Sequence, residues 1–172
     1  MGAEINKWLT TKKGEPRGYI QPHLLSELWF HTGTACNLSC PFCLEGSKPG
    51  DNRLNRIVLS DVEGLMYSAI KLGVKQFSFT GGEPFIVKDF INILGFAANL
   101  KPCLTLTNGT SALLQRLPQI EALAKCSNPI NFRISIDWPD EQRHDAGRGI
   151  GTFNESIESI IELKKMGFGV SV

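Results

Sequence analysis

Strand-like runs alternate with helical patterns along this 172-residue chain, an order that predicts an α/β fold of parallel strands joined by helical crossovers. Three observations carry the prediction. Apolar, β-branched or aromatic runs recur at about Glu27–Thr32, Gln76–Thr80, Cys103–Thr107 and Asn131–Ile136. The segments between them carry helix signals, including the capping boxes Ser60-Asp61-Val62-Glu63 and Thr152-Phe153-Asn154-Glu155. Glycine-bearing turns, Thr80-Gly81-Gly82 and Thr107-Asn108-Gly109, follow two of the runs.

Taken in order, residues 1–24 are polar and basic (Lys7, Lys12, Lys13, Arg17) and broken by Gly14, Pro16, Gly18 and Pro22. They are expected to form a surface lead-in with little regular structure, ahead of a core domain over 25–172. After the first strand, the polar stretch Glu45–Arg56, with Pro49-Gly50-Asp51-Asn52, reads as a loop. The first helix is expected to start at Ser60 and stop at Gly73, and the second to span about Lys88–Asn99. A third helix, about Ser111–Lys125, should bend or restart at Pro118, whose ring cannot continue the ladder. The fourth opens at Thr152 and ends at Gly167, and its Phe153, Ile157, Ile160, Ile161 and Leu163 include neighbours three and four apart, as a sheet-packed face requires. A fifth strand begins at Val170.

Right-handed crossovers curl such a sheet toward a barrel wall. The class is therefore an incomplete parallel (β/α) barrel, a partial TIM-type barrel of about four and a half strand–helix units. The turns that end the strands then share the face on which barrels of this kind carry their chemistry.

Composition narrows the function. At 42% apolar residues, the length suffices for one buried core. A net charge of +1 leaves no electrostatic footprint for nucleic acid or an anionic membrane. No apolar run approaches signal-peptide or membrane-spanning length, so the expected compartment is the cytoplasm, where thiols stay reduced. There, clustered cysteines favour metal over disulfides. Cys103 and Cys126 lie far from the cluster in sequence and read as small buried hydrophobes.

The cluster itself is Cys36-Asn37-Leu38-Ser39-Cys40-Pro41-Phe42-Cys43, just after the first strand. Three thiolates in one loop can hold three irons of a cubane that normally takes four, which leaves one iron open to a small molecule. Glycines at 81 and 82 let another molecule approach the backbone, Glu83 brings a carboxylate suited to an ammonium group, and Pro84 fixes the turn. Ser135 and Asp137 alternate with Ile134 and Ile136 and so share one face, where buried polar groups need partners. Arg148 is either a carboxylate partner or a solvated loop residue. His23, His31 and His144 are not spaced as a metal set; only His31 lies near the cluster loop.

The Cys-x3-Cys-x2-Cys spacing, with Phe42 before the last cysteine, resembles the cluster loop of the radical SAM superfamily. Thr80-Gly81-Gly82-Glu83-Pro84, Thr107-Asn108-Gly109 and Ser135-Ile136-Asp137 resemble further family motifs in family order, and the likeness runs over roughly Leu28 to Val172. His144-Asp145-Ala146-Gly147-Arg148-Gly149 resembles a stretch that follows the fourth strand in many members. The resemblance implies a 4Fe-4S cluster on Cys36, Cys40 and Cys43 and S-adenosylmethionine at the open iron. It places the cofactor against Phe42, Gly81, Gly82, Glu83, Pro84, Asn108, Ser135, Asp137 and Arg148. It implies that an electron from an external reducing donor cleaves the sulfonium and that the resulting 5′-deoxyadenosyl radical takes hydrogen from a peptide or small-molecule substrate. Such cores close with about six strand–helix units, so this chain is expected to be the N-terminal portion of a longer core that turns over no substrate alone. Two other readings stay open. One is a zinc- or iron–sulfur-stabilised structural module, the other an electron carrier, although a carrier needs a fourth thiolate and structural zinc a second ligand pair.

Overall fold

The computed structural model describes residues 9–18 and 24–172. Five strands, β1 (Glu27–His31), β2 (Gln76–Thr80), β3 (Cys103–Thr107), β4 (Ile130–Ile134) and β5 (Gly169–Ser171), form one parallel sheet in sequence order. Helices α1 (Leu59–Lys71), α2 (Phe90–Leu100), α3 (Ser111–Leu114), α4 (Leu117–Ala122), α5 (Glu141–Arg148) and α6 (Thr152–Lys165) connect them. The expected partial barrel is present. The N-terminal lead-in falls partly outside the described residues; within 9–18, Thr10 bridges Pro16 in antiparallel fashion.

Pairing register sorts the side chains onto two faces. Phe30, Phe79, Thr105, Phe132 and Val170 stand level across the sheet, and Trp29, Ser78, Leu104, Asn131 and Gly169 form the adjacent row. Successive side chains of a strand point to opposite faces, so the aromatic row meets the helices and the adjacent row faces the barrel interior. The helix side is packed with rings: Phe79 and Phe85 meet Phe90 edge-on at 5.5 and 5.2 Å, and Phe132 meets Phe168 at 5.3 Å. Each fully buried ring contributes about 1.5–3 kcal/mol of hydrophobic stabilisation.

Both expected capping boxes are replaced. At α1 the helix starts at Leu59, one residue before the expected serine; Asp61 accepts the Val58 N–H at 3.0 Å and Asp89 accepts the Leu59 N–H at 2.7 Å. At α6 the carboxylate of Asp145 accepts from Gly151 N (2.6 Å), Phe153 N (2.9 Å) and the Thr152 hydroxyl. Glu155 is free to reach Ser111 N at 2.8 Å instead. A carboxylate brought by the fold satisfies the same orphan amides more strongly than a local hydroxyl. The third helix breaks into α3 and α4, with Pro118 in the first turn of the second piece, followed by a 3-10 turn at Leu123–Lys125. Helix α5 was not expected: its sequence is almost wholly polar and carries Gly147, so no apolar period announces it.

Candidate functional site

The parallel pairing of β1 with β2 does not stop at the strand ends. Thr32 N donates to Thr80 O at 2.7 Å, Gly82 N to Gly33 O at 2.9 Å and Glu83 N to Ala35 O at 3.0 Å. This ladder zips the cysteine loop to the glycine turn. It also sets the reason for the glycines, which differs from the expected open approach for a ligand. A Cβ on Gly82 would stand 2.0 Å from the Ala35 carbonyl oxygen, and one on Gly81, at φ +152°, 2.8 Å from the Gly33 oxygen. The chain's own backbone is the first molecule that approaches them closely.

Downstream, the loop folds back on its start. Cys36 N donates to Lys48 O at 3.3 Å, the Thr34 hydroxyl to Asp51 at 2.8 Å, and Arg53 clamps Asp51. The Arg53 hydrogen bonds hold the Asp51 carboxyl well below the usual carboxylate range. His31, the histidine nearest the cysteines, pairs with Glu45 at 2.7 Å.

Cys36, Cys40 and Cys43 all line one cavity of about 430 Å³ at the C-terminal edge of the sheet, within the size range of small-molecule sites. Phe42, Gly81, Gly82, Asn108, Ser135, Asp137 and Arg148 border the same space. Strand β4 ends at Ile134, before the expected Ile136, yet Ser135 N continues the ladder to Thr107 O at 2.9 Å. Asp137 and Arg148 meet across the cavity as a two-pronged pair, Nε–Oδ2 2.6 Å and Nη2–Oδ1 3.1 Å, and the pair holds the Asp137 carboxyl below its ordinary value. Arg148 is thus an ion-pair partner rather than a solvated loop residue. Its guanidinium lies 5.6 Å from the Phe42 ring, which packs so closely on Gly147 that a Cβ there would stand 2.6 Å from it.

Two expected residues lie elsewhere. Pro84 opens a buried 3-10 turn, Pro84–Ile86, away from the cavity. Glu83 is 1% exposed, and its carboxylate accepts from Phe85 N (3.0 Å), Asn108 N (2.8 Å) and the Thr107 hydroxyl (2.7 Å). Burial pushes this carboxyl upward, and those three donors oppose the push. With three internal donors, Glu83 ties the glycine turn to the end of β3.

The surroundings of the thiols favour a thiolate in one respect and oppose it in another. Leu38 N and Asn108 Nδ2 both donate to Cys36 Sγ, at 3.4 and 3.8 Å, an acceptor environment that suits a thiolate. Burial nevertheless pushes the Cys36 thiol up to about 11 and raises Cys40, with Arg148 opposing the latter. Metal binding at these sulfurs must therefore release protons. Among the described residues, no three His, Cys, Asp or Glu side chains are gathered as ligands of a single ion. A cubane takes each thiolate on a different iron, and the donor set fits it. Among the described residues, no helix is long and apolar enough to cross a membrane.

Sequence reading missed the residues that support this rim. Asn37 and Thr110 bracket Asn108, while Ser156 and Ser159 of α6 donate to Asn108 O and Gly109 O at 2.9 and 2.6 Å. Ordinary polar residues carry no signal of such contacts before the chain folds.

The fold and site together define a partial parallel barrel with three cysteines around one cavity at its strand ends. The chain belongs to the radical SAM superfamily, whose family model matches residues 30–172. It is 38% identical over 137 residues to the GTP 3′,8-cyclase of Shewanella denitrificans, covering 78% of this chain and 39% of that protein. Among solved structures, the SuiB protein of Streptococcus suis bound to S-adenosylmethionine superposes with a TM-score of 0.70 at 22% identity, over 86% of this chain and 33% of SuiB. SuiB bound to its precursor peptide SuiA gives 0.68 at 22% identity, over 86% and 32%. The chain spans about two fifths of the length of the curated relatives it matches.

Proposed function

We propose that this chain holds a 4Fe-4S cluster on Cys36, Cys40 and Cys43, binds S-adenosylmethionine beside it, and forms the radical-generating part of an enzyme. The observation that carries the reading is convergence: the three cysteines and the residues ending β2, β3 and β4 all border one 430 Å³ cavity. With both groups bound, the chemistry supplied is reductive cleavage of the sulfonium to methionine and a 5′-deoxyadenosyl radical that abstracts hydrogen.

The chain's own residues bind and orient. The Gly81–Gly82 turn gives a wall without side chains, locked in place by its ladder to Gly33 and Ala35. Arg148 and Asp137 offer a guanidinium and a carboxylate side by side, a match for the carboxylate and ammonium of an amino-acid moiety. The half-exposed Phe42 ring supplies a flat apolar face for a base. Glu83 acts indirectly, by fixing the turn and Asn108. The substrate class follows either kind of relative: a nucleotide, as the name GTP 3′,8-cyclase states for one, or a peptide, as bound to SuiB. An external one-electron donor completes the reading.

Anaerobic reconstitution with iron and sulfide, then incubation with S-adenosylmethionine and dithionite, tests it. A brown chain that releases methionine and 5′-deoxyadenosine is the expected result. A colourless chain that retains zinc instead would establish the structural-module alternative.

A further inference from the structure

We propose that Asn108 is a positioning residue for Cys36: a closed ring of side chains holds its carboxamide in one orientation, donating to Cys36 Sγ, and this raises the reduction potential of a cluster bound there. The inference rests on the iron–sulfur reading above and adds a residue that acts on one ligand.

The orientation follows from a donor that cannot reverse. The backbone N–H of Thr110 donates to Asn108 Oδ1 at 3.0 Å, so the other end of that carboxamide is the NH2 group. This group donates to Asn37 Oδ1 at 2.9 Å and to Cys36 Sγ at 3.8 Å. Asn37 is fixed in turn, with its Nδ2 donating to Thr110 Oγ1 at 2.8 Å. The Thr110 hydroxyl then gives its hydrogen to Asn108 Oδ1 at 2.7 Å, and the ring closes. One backbone amide thereby sets the direction of every bond in it.

The backbone of Asn108 is anchored separately. Its N–H donates to Glu83 at 2.8 Å, and its carbonyl accepts from Ser156 at 2.9 Å. Asn108 is 6% and Thr110 1% exposed, so water competes little for these groups. Among the described residues, Asn108 is the only side chain that donates to a cysteine of the loop. The Cys36 thiol also reaches Asn37 Oδ1 at 4.0 Å, a contact that requires the thiol proton and ends when the sulfur binds as thiolate.

A donor to a ligand sulfur favours the more negative, reduced cluster and so raises its potential. The test is a redox titration of the reconstituted chain followed by electron paramagnetic resonance, with iron and sulfide content measured alongside. Asn108→Ala should retain the cluster and reduce the equilibrium constant for reduction about tenfold, a midpoint lower by about 59 mV for one electron. Asn108→Asp, which turns an acceptor toward the sulfur, should lower it further. Should neither variant load iron, Asn37→Ser decides, because the Thr110 N–H still orients the carboxamide while its NH2 group loses the competing acceptor; its midpoint should exceed that of the parent chain, and an equal or lower midpoint would overturn the proposal. An Asn108→Ala cluster at the parent midpoint overturns this inference alone. A parent chain that assembles no cluster overturns it together with the proposed function.

Discussion

Cys36 and Cys103 are both buried thiols, yet they sit in opposite chemical surroundings. Cys103, on the helix-facing side of β3, points its sulfur at the Lys101 carbonyl at 3.4 Å, and its neighbour Cys126 reaches the Gly95 carbonyl at 3.8 Å. Those thiols act as donors, which requires the proton. Cys36 also gives its thiol proton, to Asn37 Oδ1 at 4.0 Å, but in addition it accepts two N–H groups and stands at a cavity edge beside two further cysteines. Burial raises both, Cys103 to about 12 and Cys36 to about 11, so burial alone does not separate them. Donors or acceptors around the sulfur do. A buried cysteine surrounded by carbonyls is packing, whereas one surrounded by amides is prepared for the thiolate that metals bind.

The largest effect expected from this contrast is in metal content. Single replacement of Cys36, Cys40 or Cys43 by Ala should abolish cluster retention, measured as iron and sulfide per chain, because two thiolates anchor a cubane poorly. Cys103→Ala and Cys126→Ala should keep full iron. Equal iron loss from Cys103→Ala would break the comparison outright.

Next in size is the scaffold beneath the cysteine loop. In Gly82→Ala the new methyl meets the Ala35 carbonyl, backbone that cannot turn aside. Urea unfolding should show a loss of about 3 kcal/mol, at the upper end for overpacking, accompanied by reduced iron loading. Cys103→Ala, which removes one sulfur from the core, should cost about 1 kcal/mol and no iron. A Gly82→Ala chain of parental stability would mean that the two loops do not pack as described.

The smallest expected effect is on pH dependence in the iron-free chain. Folded-state thiol values raised above the unfolded one stabilise the fold fully below about pH 8.5, and that stability is lost as the pH rises toward the folded values. Unfolding free energy should therefore fall steadily as the pH rises from about 8.5 toward the folded values. Cys103→Ala should flatten part of that slope, while an unchanged slope would remove Cys103 from the buried, protonated class.

Much of this molecule was legible in the sequence, because the signals were local. Strand periods at Gln76–Thr80 and Cys103–Thr107 match the structure to the residue, and the breakdown of the third helix near Pro118 follows from a missing N–H. The cysteine spacing and the strand-end turns pointed to one rim, and most of their residues share one cavity there. The helix caps were misread because Asp89 and Asp145 reach the helix starts only after the chain folds. Helix α5 escaped notice because a polar helix has no apolar stripe to betray it.

By itself, then, the sequence determined the order of the strands, the parallel sheet and the cysteine loop, since periodicity, turn chemistry and thiol spacing act over a few residues. Tertiary structure alone decided what the polar residues do. It turned Glu83 inward onto three donors, paired Arg148 with Asp137, and closed Asn37, Asn108 and Thr110 into a ring beside Cys36. These contacts join residues far apart in the chain, and a hydrogen bond depends on distances of a few ångströms that no local pattern encodes.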